Sequence, residues 1–337
     1  MTSTAPLAVT LGDPRGVGPE IVVKAWSALK GAGQAFVVVG DAEVVATAFP
    51  TGAAACERVS SMAEGAALFR RALPVLDAAA DRPAVPTGPA HDRAGAVIRW
   101  IETAVGLALR GEASGVVTAP IAKASLYAAG FEFPGHTEFL AALTADAPWE
   151  GERGPVMMLT AADLKVALVT IHTPLAEVPR AVTAERVVRT ARVTAEALRR
   201  DFGVAEPRLA LAGLNPHAGE AGTIGREEVE VLAPAAERLR AEGVRITDPR
   251  PADTLFHPDA RKAYDAVVCL YHDQALIPVK TLDFWGGVNV TLGLPIVRTS
   301  PDHGTGFDIA GQGIARPDSL IAAIRLAWTL AARRAAA

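Results

Sequence analysis

The chain has little cysteine: Cys56 and Cys269 are its only two, and they lack the spacing of a disulfide framework. Both are therefore expected to be reduced thiols in a cytosolic protein. No uninterrupted apolar run reaches the length of a membrane span, and the start, MTSTAPLAVTLGDP, lacks the charged and apolar regions of a signal peptide. Basic runs of notable length are also missing, and the net charge of −4 argues against a nucleic-acid or acidic-membrane partner. Internal repeats, low-complexity linkers and the GxGxxG dinucleotide fingerprint are absent as well. These absences leave a soluble, cytoplasmic globular protein as the expectation.

What is present suits that class. Half of the residues are hydrophobic and 21% are charged, and 337 residues suffice for two α/β domains or one large domain with a split core. Short apolar, β-branched runs alternate with longer segments of helical period, the pattern of an α/β fold. The strand candidates are Leu7–Leu11, Phe36–Val39, Gly115–Thr118, Val156–Thr160, Val166–Ile171, Leu209–Leu214, Ala266–Leu270 and Val288–Leu292. Helices are expected near Pro19–Lys30, Ala94–Arg110, Thr137–Thr144, Ala184–Phe202, Arg226–Glu242 and Pro317–Arg334, with Thr183 as an N-cap. The short turn AADLK between two strands predicts a hairpin, and so a mixed sheet. The proline-rich stretch Arg82–Pro89 reads as a surface connection. A domain change is placed near Pro134–His136, with the C-terminal helix returning to the first domain. That division is 1–134 plus 300–337 for one domain and 135–299 for the other.

Three histidines each come after a strand-like run and before turn residues: His172 in ALVTIHTPL, His217 in LALAGLNPHAGE and His272 in AVVCLYHDQALIP. Strand ends at one edge of an α/β sheet are where catalytic groups gather. Three imidazoles there could hold one divalent metal and leave a position open for substrate; singly, each could be an ordinary loop histidine. Glu220 could orient His217. Asp253, in a proline-stiffened segment, could serve metal or substrate. Gly12–Glu20 is a glycine-rich turn running into a helix, either an anion site or a tight turn with Asp13 capping locally. His136 sits before a helix start with Thr137 as the expected N-cap. The cations Lys280 and Arg298 and the amide Asn289 come after Tyr271-His272-Asp273-Gln274 and suit a small anionic substrate such as a phosphate. His303 either lines a cofactor or bonds its own loop, while His91 and His257 read as ordinary polar connections.

In these segments the chain resembles the 4-hydroxythreonine-4-phosphate dehydrogenase family of vitamin B6 biosynthesis. The likeness runs nearly the whole length, through GDP-x-G-x-GPE, GHTEFLA, LNPHAGE, PADTLF, YHDQ, VNVTLGLP and RTSPDHGTGFDIAG. One departure is Arg15, where many relatives carry a small residue, which bears on substrate choice. The resemblance implies two α/β/α domains around a cleft, as in the isocitrate and isopropylmalate dehydrogenases, with a non-Rossmann site for NAD or NADP. It implies metal ligands at His172, His217 and His272 (for zinc, magnesium or cobalt) and substrate contacts at His136, Thr137, Lys280, Asn289 and Arg298. It also implies a homodimer in which one histidine comes from the partner subunit. Under that resemblance the alcohol of 4-phosphohydroxy-L-threonine is oxidised and the 3-oxo acid loses carbon dioxide, with Asp253 and Asp273 as candidates for proton transfer or ligand orientation and Lys280 as a further catalytic candidate beside its phosphate contact. The alternatives are a paralogue acting on a phosphorylated sugar acid or a cis-dihydrodiol carboxylate, an acyltransferase of related architecture, and a non-catalytic binding protein.

Overall fold

The computed structural model describes residues 5–49, 56–77, 90–128, 130–133 and 135–336. The Arg82–Pro89 stretch and Pro134 lie outside the described residues. The first six strands are β1 (Leu7–Thr10), β2 (Phe36–Gly40), β3 (Cys56–Val59), β4 (Leu73–Asp77), β5 (Val116–Thr118) and β6 (Val156–Ala161). The next six are β7 (Leu164–Leu168), β8 (Arg208–Ala212), β9 (Arg245–Arg250), β10 (Ala266–Cys269), β11 (Val288–Leu292) and β12 (Arg298–Pro301). The helices begin with α1 (Gly18–Leu29), α2 (Ala42–Thr47), α3 (Met62–Leu68), α4 (Ala90–Leu109), α5 (Lys123–Ala128) and α6 (His136–Leu143). They continue with α7 (Val178–Ala181), α8 (Ala184–Arg200), α9 (Ala233–Ala241), α10 (Pro258–Arg261), α11 (His272–Leu282) and α12 (Asp318–Arg334). Among the described residues, no helix is long and apolar enough to cross a membrane.

Two compact units emerge, Met1–Pro148 with Pro295–Ala335, and Trp149–Leu294 with Ala336–Ala337. In the first, the strands run β3-β4-β2-β1-β5-β12 and every pairing is parallel. The central strands β1 and β2 are buried along their whole length, so LAVT and FVVVG read as unbroken apolar runs without alternation. Helix α12 packs on β12, β5 and β1 through Leu320, Ala323, Ile324, Ala327 and Ala331, an i, i+3, i+4, i+7 stripe.

In the second unit the order is β11-β6-β7-β10-β8-β9. Strands β11, β6 and β7 pair antiparallel, while β7, β10, β8 and β9 pair parallel. The expected hairpin is present, with Ala162 at φ 51° in its turn. Helix α8 is amphipathic, buries Val187, Val188, Ala191, Ala195 and Leu198, and starts on Thr183, whose Oγ1 accepts from Arg186 N at 3.3 Å. A core of Leu159, Val166, Ala210, Val267 and Cys269 lies against Ala275 and Val279 of α11.

Several elements escape the sequence pattern for physical reasons. Strand β3 (CERV) is half exposed, and β4, β9 and β12 each contain a proline. Strand β12 (RTSP) is polar yet wholly buried; within it Thr299 Oγ1 donates to Ala323 O at 2.8 Å. Helix α11 is masked by Pro278 within it. The helix expected over Arg226–Glu242 is present, but its first turn, Glu228–Leu232, is π-helical before it continues as α9. Pro234, near the start of α9, explains the change: it has no N–H for the carbonyl one turn back and its ring crowds that carbonyl, which widens the preceding turn.

Candidate active site

The three histidines come after three neighbouring parallel strands, since β7, β10 and β8 lie side by side. Two buried side chains tie those strand ends together. Thr170 Oγ1 donates to Leu270 O at 2.6 Å, joining the segment after β7 to the end of β10. Gln274 Oε1 accepts from Leu270 N and its Nε2 donates to Gly213 O, each at 2.7 Å, joining β10 to the end of β8. Neither residue was singled out as a site residue from sequence; Gln274 was visible only as part of YHDQ.

This linkage brings His172 and His272 together, with ring centroids 5.9 Å apart and planes tilted by 40°. His272 opens α11, and its Nδ1 lies 2.7 Å from Asp273 Oδ1, which leaves Nε2 as the outward nitrogen. The pair therefore fits the donor chemistry of a divalent cation site. His217 is exposed on the next loop, and among the described residues no group of three His, Cys, Asp or Glu side chains closes into a metal-holding set. Asp253 is exposed in the 3-10 turn Ala252–Thr254, which packs against the Pro216–Gly222 turn bearing His217. Glu220, offered from sequence as the orienting group for His217, is itself exposed within that turn. The carboxylate that holds the loop is Glu228.

In the first unit, Arg298 and His136 form a second cluster. Arg298 is only 3% exposed at the start of β12, and its Nη2 donates to Thr118 Oγ1 at 2.7 Å. Burial pushes its pKa down to about 10, so it remains a cation at neutral pH. The same Nη2 lies 3.4 Å from His136 Nδ1. His136 keeps some residue exposure, yet its Nε2 is buried with no hydrogen-bond partner. With Nδ1 accepting from Arg298, Nε2 carries the proton and is a buried donor that wants an acceptor oxygen. A cation and such a donor side by side suit an anion. Gly135 is the N-cap of α6 and His136 its first residue, so Thr137 is the second helical residue and not the cap. Gly135 takes that place because it is extended (φ −169°) while His136 is already helical.

Burial, then the Arg298 charge, hold the His136 imidazole well below its ordinary value of 6.5. The unfolded chain takes up that proton and the folded chain refuses it, so this residue makes stability fall as pH drops below about 6.5. Its contribution to the slope approaches about 1.4 kcal/mol per pH unit. Urea unfolding between pH 7.5 and 5.5 should show a shallower decline for His136→Gln than for the native chain. Equal slopes would discard this view of His136.

The remaining predicted residues occupy separate places. Asn289, on β11 opposite Leu159 of β6, has a buried Oδ1 with no hydrogen-bond partner. Lys280 lies on α11 with its ammonium 5.2 Å from the Phe284 ring centre. His303 Nδ1 lies 2.9 Å from Gly304 O and so bonds its own loop. His257 caps α10, its Nδ1 accepting from Ala260 N at 3.4 Å. Of the His91 side chain nothing is described.

The glycine-rich turn before α1 grips the loop after β12. Gly12, at φ +75°, admits no side chain, because a Cβ would stand 2.5 Å from Pro120 O. Asp13 accepts from Arg15 N at 3.0 Å and from its Nη2 at 3.1 Å, and the Arg15 guanidinium lies 5.5 Å from the Phe307 ring centre. Val17 N donates to Thr305 O at 2.8 Å. The buried Glu20 accepts from Ala315 N at 2.8 Å and Gly313 N at 3.3 Å, while Lys24 donates to Gly313 O and Ala315 O at 2.8 and 2.7 Å. Arg15, Glu20, Phe49 and Gln312 line a cavity of about 480 Å³ here. Glu20→Ala should strip two backbone N–H groups and Lys24 of their carboxylate, lowering stability by about 2 kcal/mol in urea unfolding. A change under 0.5 kcal/mol, the scale of surface substitutions, would refute that role.

The chain is similar to known proteins along nearly its whole length. The chain matches the profile of the family described as pyridoxal phosphate biosynthetic protein PdxA over residues 32–327. It is 64% identical over 334 residues to the 4-hydroxythreonine-4-phosphate dehydrogenase of Caulobacter vibrioides, covering 99% of each chain. A crystal structure of 4-hydroxythreonine-4-phosphate dehydrogenase from Klebsiella pneumoniae superposes with a TM-score of 0.84 at 39% identity, over 97% of this chain and 99% of that one. A terephthalate 1,2-cis-dihydrodiol dehydrogenase from Burkholderia xenovorans LB400 superposes at TM-score 0.64 and 32% identity, covering 96% and 98%. An isocitrate dehydrogenase from Methylococcus capsulatus, 13% identical with TM-score 0.50 over 98% and 87% of the two chains, shares the fold alone.

Proposed function

The chain belongs to the PdxA family of pyridoxal phosphate biosynthesis, and from that premise we propose that it oxidises 4-phosphohydroxy-L-threonine with NAD or NADP. The product, 2-amino-3-oxo-4-phosphohydroxybutanoate, then loses carbon dioxide to give 3-amino-2-oxopropyl phosphate. The protein is an oxidoreductase, and the reaction is a step toward pyridoxal 5′-phosphate. One observation of this chain carries the anionic substrate: the desolvated Arg298 guanidinium beside the buried donor of His136.

Bound groups would supply the electron chemistry, a divalent ion (zinc, magnesium or cobalt) acidifying the substrate hydroxyl and a nicotinamide accepting the hydride. His172, His217 and His272 are the residues that would hold the ion, with Asp273 fixing the His272 ring through Nδ1. In a homodimer, as the resemblance implies, a single chain would need to gather only two of the three. Arg298, His136, Thr137, Lys280 and Asn289 are the residues proposed to bind substrate oxygens, Asn289 through its amide. Holding the substrate at its anionic end fixes the reacting carbon. Asp253 and Asp273 are the carboxylates proposed to move protons, and the Lys280 ammonium would stabilise enolate charge during decarboxylation.

The experiment is NADH or NADPH formation by metal-replete protein with 4-phosphohydroxy-L-threonine, with and without chelator. Chelator-sensitive turnover is expected. Turnover only with a cis-dihydrodiol carboxylate, the substrate class in the name of the Burkholderia xenovorans relative, would replace the reading with that alternative.

A further inference from the structure

We infer that Glu228 is a positioning residue that holds His217 in place for a divalent cation, an inference that rests on the metal role proposed above for His217. Glu228 is 4% exposed and opens the π-helical turn Glu228–Leu232. Its Oε1 accepts from Leu214 N and Asn215 N, each at 2.7 Å, and its Oε2 accepts from Asn215 Nδ2 at 2.9 Å. Asn215 Nδ2 also donates to Glu227 Oε2 at 2.7 Å. One buried carboxylate thus holds the two residues that lead into Pro216 and His217.

The turn beyond those residues is strained. His217, Ala218, Gly219, Glu220 and Ala221 have φ of 53°, 50°, 75°, 42° and 53°, a left-handed turn in which only one residue is glycine. Each non-glycine residue there costs roughly 1–2 kcal/mol relative to the right-handed form. Such a turn persists only when its surroundings over-determine it. Glu228 acts at its entry and at its middle. It anchors the entry at Leu214 and Asn215, and its Oε2 fills the space beneath Gly219, where a Cβ would come within 2.5 Å of it. The left-handed turn sets the direction in which His217 leaves the end of β8, beside the loops of His172 and His272. The π turn produced ahead of Pro234 is the element from which Glu228 reaches the loop.

The test titrates Co²⁺ into the full-length native chain, Glu228→Gln, Glu228→Ala and His217→Ala, recording the dissociation constant and the visible spectrum of bound cobalt. Glu228→Gln keeps size and packing but sets an amide NH₂ against N–H donors. We expect its Co²⁺ dissociation constant to rise about tenfold with an altered spectrum, and that of Glu228→Ala about a hundredfold, the range seen when groups orienting metal ligands are removed. A residue that only supports the fold would lower the unfolding midpoint and leave the spectrum unchanged. If Glu228→Ala does not fold, Glu228→Gln alone decides. Native affinity and spectrum in a folded Glu228 variant, beside weakened binding in His217→Ala, would overturn the inference and keep the metal site. Failure of the native chain to bind Co²⁺, or full binding by His217→Ala, would overturn both.

Discussion

Replacing Arg298 with methionine is expected to lower kcat/KM about a hundredfold, chiefly by raising KM, while the unfolding midpoint of the ligand-free protein stays level or rises. The two halves of this result have separate causes. Substrate affinity falls because a buried charge that meets an anion is worth about 3 kcal/mol, and 1.4 kcal/mol is a factor of ten. Stability does not fall, because burial holds the guanidinium pKa at about 10 instead of 12.5, so keeping it charged at neutral pH costs the fold on the order of 3 kcal/mol. Methionine fills the space without that charge, which offsets the lost bond to Thr118 Oγ1. Michaelis kinetics and thermal unfolding of the same preparation check both halves. A large loss of stability with KM unchanged would make Arg298 a structural residue.

His217→Ala should remove bound divalent metal and turnover together, with metal affinity reduced by more than about a hundredfold. The substitution leaves the backbone strain as it is, since alanine at φ 53° is no easier than histidine there. Any change therefore reports the imidazole itself. The measurement is metal content after dialysis, with the shift in unfolding midpoint on adding metal. A ligand present at a hundred times its dissociation constant stabilises by about 2.7 kcal/mol, and the variant should lose that gain. Full turnover by metal-free His217→Ala would end the metal proposal.

Much of this was legible along the chain. The alternation of apolar and helical segments announced the α/β class, and LAVT and FVVVG were readable as strands; the structure shows them buried and parallel, with both faces covered. Motif order pointed to the family, and PdxA membership bears that out. The strands β3, β4, β9 and β12 were not readable, nor was α11, since prolines, charges and edge positions break the periodicities on which such reading depends.

By itself, then, the sequence determined the fold class, the family and the residue types on offer for metal and anion. Those depend on local pattern and on which side chains exist. Tertiary structure decided which of them act on one another. Thr118 and Arg298 lie 180 residues apart in the chain and meet only because β5 and β12 pair. Thr170 and Leu270, 100 residues apart, meet only because β7 and β10 do. Glu228 looked like one acidic residue among several in REEVE, and only the folded loop turns it inward against the histidine turn. Burial, strain and hydrogen-bond satisfaction are properties of the packed chain, so no spacing of letters contains them.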